Sequence, residues 1–171
     1  VSIIFNGVKI PESKVENSFI PPNYPINHRG LTGCLSFINI NFKNINLTAN
    51  NSSCEDTINF INTSGNINTI SINNSFSDAF DADFSDLKIN NLKISSAIND
   101  CTDFSAGKYE LINLDFKNCG VKAISICEKS NVKIEKINVN KADIGIATKD
   151  SSILSLKNAS LENLRTCVSA Y

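Results

Sequence analysis

An acidic phrase occurs twice within Ser77 to Ser105, SDAFDADFSDLKINNLKISSAINDCTDFS: Asp78 and Asp81 return one interval later as Asp100 and Asp103. The apolar residues that follow keep the same interval. Leu87, Ile89, Leu92 and Ile94 are echoed by Tyr109, Leu111, Leu114 and Phe116. A chain that repeats every twenty-odd residues in short strand-like runs, without a helical period, buries those runs by stacking one repeat on the next. The expected fold is all-β, a right-handed single-stranded parallel β-helix of about six to seven coils. The hand follows from the chirality of parallel crossovers.

Two regions follow along the chain. Residues 1–32 read as an irregular N-terminal cap and 33–171 as the repeats. VSIIFNGVKI holds one or two short strands, after which Pro11, Pro21, Pro22 and Pro25 exclude central strands. A cap is physically required there, because an open solenoid end exposes unpaired strand edges. His28, the only histidine, reads as a loop or cap hydrogen-bonding residue. The first coil carries Ile40, Phe42, Ile45 and Leu47, and the second carries Ile67, Ile70 and Ile72 after a small insertion around Asn50 to Ser53. Val132, Ile134, Ile137 and Val139 mark the fifth coil, and Leu154, Leu156 and Leu161 the sixth. TCVSAY opens a seventh and stops in mid-coil, so further chain or a second copy is expected against the open C-terminal coil.

Composition excludes some partners. With 16 basic and 17 acidic residues spread along the chain, no basic stripe marks a nucleic-acid surface. No apolar run approaches the roughly 20 residues of a membrane span. The abundant Asn fits tight coil corners, since Asn tolerates the left-handed backbone conformation. The six cysteines are expected to be buried free thiols. The nearest pairs, Cys34/Cys54 and Cys101/Cys119, are spaced more closely than the repeat and so fall out of register with any one column.

Alternation assigns the faces. In Phe80-Asp81-Ala82-Asp83-Phe84 the apolar residues point in, so Asp81 and Asp83 point out. The same logic puts Phe104, Ile124 and Ile126 in, and Asp103 and Ser125 out. Reading at the repeat interval gives an outward column of Asn59, Asp81, Asp103, Ser125, Ala147 and Ser169. A second column is Asp56, Asp78, Asp100, Lys122 and Ile144; a third is Ile61, Asp83, Ser105, Cys127 and Lys149. Like charges at coil spacing raise one another's pKa unless a proton or cation sits between them. Two chemical uses fit: paired carboxylates as acid and base in glycoside hydrolysis, or oxygen ligands for Ca²⁺, with Asp56, Asp78 and Asp100 as candidates. No cofactor is required by the first. The plainer alternative is that each Asp caps backbone N–H groups at a turn.

At these residues the chain resembles the polygalacturonase-like glycoside hydrolases of the pectin-lyase-like superfamily. That family carries N-T-D, D-D, G-H-G and R-I-K on successive coils. SDAFD resembles the first phrase, with Asp78 at its acid; NDC resembles the second, with Asp100 at one acid and Asn99 at the other. CGVKAISI falls at G-H-G with Lys122 in place of histidine, and GIATK at R-I-K with Lys149 matching the lysine and Ala147 in place of arginine. The chain also resembles a bacterial group of right-handed β-helix repeat proteins. Their phrases are similar to C-E-D…N-F, D-x-D-F-S, N-D-C-x-D-F-S and I-G-I-A-x-K-D-S-S.

The resemblance implies a polysaccharide partner and favours an extracellular or cell-surface location. Asp78, Asp81, Asp100 and Asp103 are then the catalytic candidates, with Asp100 as general acid and Asp78 or Asp81 as base. Asp83, Asn99, Lys122 and Lys149 are the candidate substrate-binding residues, the lysines for an anionic sugar. The competing expectation is a non-catalytic surface, adhesion or structural module that binds Ca²⁺ or a partner.

Overall fold

The computed structural model describes residues 1–8 and 31–171. The prolines and His28 of the expected cap lie outside the described residues. The strands, in chain order, are β1 (Ser2–Asn6), β2 (Gly33–Ile38), β3 (Asn41–Asn50), β4 (Asp56–Ile61), β5 (Ser64–Ser75) and β6 (Asp78–Asp83). They continue as β7 (Asp86–Ala97), β8 (Thr102–Ser105), β9 (Lys108–Cys119), β10 (Lys122–Cys127), β11 (Asn131–Thr148) and β12 (Ile153–Ala170). The pairings among these strands are parallel throughout. One run stacks in the order β1-β3-β5-β7-β9-β11, the other returns as β11-β10-β8-β6-β4-β2, and β12 lies on β11. The protein is a parallel β-solenoid of about six turns.

The echo in the sequence is the physical register of the stack. Leu87, Ile89, Leu92 and Ile94 sit directly beneath Tyr109, Leu111, Leu114 and Phe116. The insertion is real and a single residue long: Asn50 pairs with Asn73 and Asp56 with Asp78, so the first interval is the longer by one. β1 is itself a rung, with Ser2 to Asn6 paired to Asn46 to Asn50. The solenoid therefore begins before Gly33.

Stacking places like residues on like. Phe37, Phe42, Phe60, Phe80, Phe104 and Tyr109 form a ladder through the core with centroids 4.7–5.7 Å apart. Such ring pairs add about 0.5–1.5 kcal/mol each beyond their area burial. The corners explain the Asn content. Asn39, Asn44, Asn51, Asn62, Asn74, Asn118 and Asn163 all have positive φ, and Asn side chains also bond along the stack. Asn73 Nδ2 donates to Asn50 Oδ1 at 2.9 Å, and Asn50 Nδ2 to Asn6 Oδ1 at 2.8 Å.

Three expectations are corrected. Cys34–Cys54 and Cys101–Cys119 are disulfides, with Cα atoms 5.4 and 5.3 Å apart; Cys127 and Cys167 are the free thiols. The error lay in looking only straight up a column. Cys119 stacks on Ala97, shortly before Cys101, so the bridge runs diagonally across a corner and does not need the repeat spacing. Phe84, expected inside, is 62% exposed, and Ile40 is 42% exposed. Ile40 lies in the turn between β2 and β3, where the in–out alternation of a strand does not apply.

Candidate functional site

The acidic flank lies on β4, β6, β8 and β10. Asn59, Asp81, Asp103, Ser125, Ala147 and Ser169 pair in one unbroken column, as the repeat reading requires. Ile61, Asp83, Ser105 and Cys127 form the neighbouring column. The acids nevertheless divide into two groups with different employment.

Asp78 and Asp100 serve the backbone. Asp78 Oδ1 accepts the Asp100 amide at 2.9 Å, and Asp100 Oδ1 accepts the Lys122 amide at 2.8 Å. Lys122 Nζ closes on Asp100 Oδ2 at 2.6 Å. Asp100 is thus the anion of an ion pair whose carboxylate is only 4% exposed. Each carboxylate caps the next coil where the turn enters its strand. Asn99 supports the same column by a side-chain hydrogen bond to Asp78. Burial, with help from Asp100 and Asp56 and against the Asp100 amide, pushes Asp78 up to about 7. Asp56 accepts the Thr32 hydroxyl at 2.5 Å and is pushed up to about 6, chiefly by burial.

Asp81, Asp83 and Asp103 have no such backbone duty. Burial first, then the charges of Asp83, Asp56 and Asp103, pushes Asp81 up to about 9, so it holds a proton at neutral pH. Asp83 is raised to about 6 by burial and by Asp103 and Glu128, while a hydrogen bond with Asp81 opposes the shift. Burial also raises Asp103, whose Oδ1 accepts the Cys127 thiol at 3.3 Å. Cys127 stays a thiol, its pKa pushed up to about 11 chiefly by burial. Lys149 lies near enough to Asp103 to oppose that rise.

Two buried polar atoms bracket this outer cluster without partners. Asn59 donates Nδ2 to Asp81 Oδ2 at 2.7 Å, yet its Oδ1 accepts nothing; Ser125, in register with Asp103, has an unpaired Oγ. Asn59 is 2% exposed and Ser125 0%, so both members of the outward column are covered rather than solvated. A buried polar atom left without a partner costs about 1–3 kcal/mol.

Phe84 completes the neighbourhood, and sequence reasoning missed it. It follows Asp83 at a coil corner with φ 51°, in the column of Asn62, Ala106 and Glu128, all of positive φ. A bulky aromatic residue in that conformation is unusual. The signal that would have found it is its corner partner one coil earlier, Asn62, a residue suited to the left-handed region.

Among the described residues, no group of three or more His, Cys, Asp or Glu side chains is placed to hold a metal ion. Asp56, Asp78 and Asp100 stack rather than converge, and Asp100 is already paired with Lys122. A groove of about 350 Å³ exists on the other run of strands, lined by Asp86, Lys88, Lys108, Glu110 and Lys133 among others. Its charges alternate in sign, and Lys88 already binds Glu110 at 2.6 Å. The acidic flank is therefore the stronger candidate, because carboxyls repeat there from coil to coil with only Lys122 and Lys149 set against them. Compared with known proteins, the chain matches no family model, no curated protein and no solved structure.

Proposed function

We propose that the acidic flank binds a polysaccharide and hydrolyses its glycosidic bonds, with Asp81 and Asp103 as the working pair. The observation that carries this reading is two half-buried carboxyls in register on adjacent coils, with Asn59 and Ser125 next to them in the same column. Neighbouring strands are about 4.8 Å apart, close to the roughly 5–5.5 Å that separates acid and nucleophile in retaining glycosidases. Asp81, protonated at neutral pH, gives its proton to the glycosidic oxygen as the bond to the anomeric carbon breaks. Asp103 attacks that carbon, and water later releases the sugar while returning a proton to Asp81.

The roles expected from sequence thus change hands. Asp100, tied to Lys122, is replaced as acid by Asp81, and Asp78 and Asp100 become the frame that holds the strand entrances. The resemblance to polygalacturonase-like enzymes supports the same substrate class in general terms. A second reading, a non-catalytic surface or adhesion module, is favoured by the backbone duty of Asp78 and Asp100.

Product release from a panel of neutral, amino and uronic polysaccharides tests the proposal. Asp81→Asn and Asp103→Asn are each expected to lower the rate by about 10² or more. Cleavage that survives both substitutions would overturn the assignment. Binding without product release would select the second reading.

A further inference from the structure

We propose that the Cys34–Cys54 bridge is a redox latch that holds β2 over the N-terminal end of the acidic flank, and that a dithiol reductant releases it. The first argument is what β2 covers. Gly33 lies on Asp56 and Ser36 on Asn59, so β2 closes the two columns that carry most of the acids. Thr32, just before β2, donates its hydroxyl to Asp56. Under this cover Asp56 is 5% exposed and Asn59 2%.

The second argument is how little holds β2 apart from the bridge. No residue of β2 is buried, whereas five of the six residues of β4, on which it lies, are. Among the described residues β2 pairs with β4 alone. Leu35 and Phe37 reach the core only in part, the Phe37 ring lying 5.3 Å from that of Phe60. Covering the flank also has a cost. Asn59 Oδ1 is left without a donor, and burial pushes Asp56 up to about 6. Opening β2 lets water reach both groups. The bridge opposes that opening by tying Cys34, in β2, to Cys54 at the approach to β4. Release leaves β3 in place, because β3 is paired on both sides, with β1 and β5.

The third argument is access. Thiol–disulfide exchange needs a thiolate to reach a sulfur. Cys34 and Cys54 are both half-buried, while Cys101 is 0% exposed and Cys119 3%. One bridge is open to attack and the other is shut away. A thiolate of the reductant attacks one sulfur of Cys34–Cys54 and displaces the other as a thiolate, which takes up a proton. The reductant's second thiol then displaces the remaining cysteine. Two electrons pass to the bridge, and the reductant becomes a disulfide. The latch sets the exposure of Asp56 and Asn59 whether or not the flank is a hydrolase.

The test treats the folded, full chain with limiting dithiothreitol, traps thiols by alkylation and maps them by mass spectrometry. Cys34 and Cys54 are expected to label at least about tenfold faster than Cys101 and Cys119. Hydrogen exchange in the same samples should rise about tenfold or more over β2, with β7 and β9 unchanged. Carbodiimide coupling of an amine to carboxyls should modify Asp56 several-fold faster once the bridge is open. A chain carrying Cys34→Ser and Cys54→Ser should show the open pattern without reductant, and reduced wild type gives the same reading if that variant does not fold.

Reduction of Cys101–Cys119 as fast as that of Cys34–Cys54 would overturn the latch. So would β2 amides that stay protected, or an Asp56 that stays unreactive, after Cys34 and Cys54 are free. Exchange that rises over β7 and β9 together with β2 would overturn it too, because the bridge would then hold the whole stack and not one rung.

Discussion

The two runs of strands treat charge in opposite ways. On β5, β7, β9 and β11 the sign alternates from coil to coil: Lys88 lies on Glu110 and Glu110 beneath Lys133, while Lys93 lies on Asp115. Lys88–Glu110 and Lys157–Glu135 close at 2.6 and 2.7 Å in the open. On β4, β6 and β8 the sign repeats, Asp56 on Asp78 and Asp81 on Asp103, and the carboxyls are buried or half-buried. Both arrangements come from one repeat, so repetition alone does not force either. Alternation is what a solvated surface adopts when nothing else is asked of it. Charge of one sign repeated from coil to coil, shielded from water and bracketed by unpaired oxygens, is a feature that needs a ligand or a proton to be comfortable.

The pH dependence of folding should separate the two runs most. Asp56, Asp78, Asp81 and Asp83 have ordinary values near 3.8 when unfolded and are raised to about 6, 7, 9 and 6 when folded. The folded state therefore binds more protons, and stability falls as pH rises. The contribution is full below pH 4, falls most steeply between pH 4 and 6, and above pH 7 is carried mainly by Asp81. Denaturant unfolding at successive pH values checks this, and Asp81→Asn should flatten the upper part of the curve. Stability that is constant or rising from pH 4 to 8 would remove the contrast.

Smaller effects follow in order. Lys122→Ala strands Asp100, whose carboxylate is 4% exposed, and is expected to cost about 3–5 kcal/mol in urea unfolding. Loss of the Cys101–Cys119 bridge, by Cys→Ser at both positions, is expected to cost about 2–4 kcal/mol. Alkylation and intact mass under denaturing, non-reducing conditions should count two reactive thiols, Cys127 and Cys167; a count of six would sink the bridge assignment. Lys88→Ala, in a pair whose side chains are 44% and 50% exposed, should change stability by less than about 1 kcal/mol. If Lys88→Ala proves as damaging as Lys122→Ala, the two runs do not differ in the way described.

Much of this was legible beforehand. The repeat length alone set the register of Leu87 on Tyr109 and of Asp81 on Asp103, because a solenoid turns sequence period directly into spatial adjacency. Hydrophobic alternation likewise found the buried face of β6 up to Ala82. It failed at Phe84, where the strand has ended and φ turns positive, so a pattern of period two no longer says which way a side chain points. The cysteines failed for a related reason. Column arithmetic sees neighbours straight above and below, whereas Cys101 and Cys119 meet across a corner, a proximity fixed by how tightly the chain turns.

What the sequence determined by itself is the stack, its rung partners and the recurrence of acids along one flank, since all three are properties of a one-dimensional repeat. What only the tertiary structure decided is how those acids are employed. Asp78 and Asp100 lie where a carboxylate meets the amide of the next coil, and Asp100 also meets an ammonium. Asp81 and Asp103, in an adjacent column, accept instead from the side chains of Asn59 and Cys127. Burial and the direction of each side chain's hydrogen bonds make that difference, and neither is written in the repeat interval.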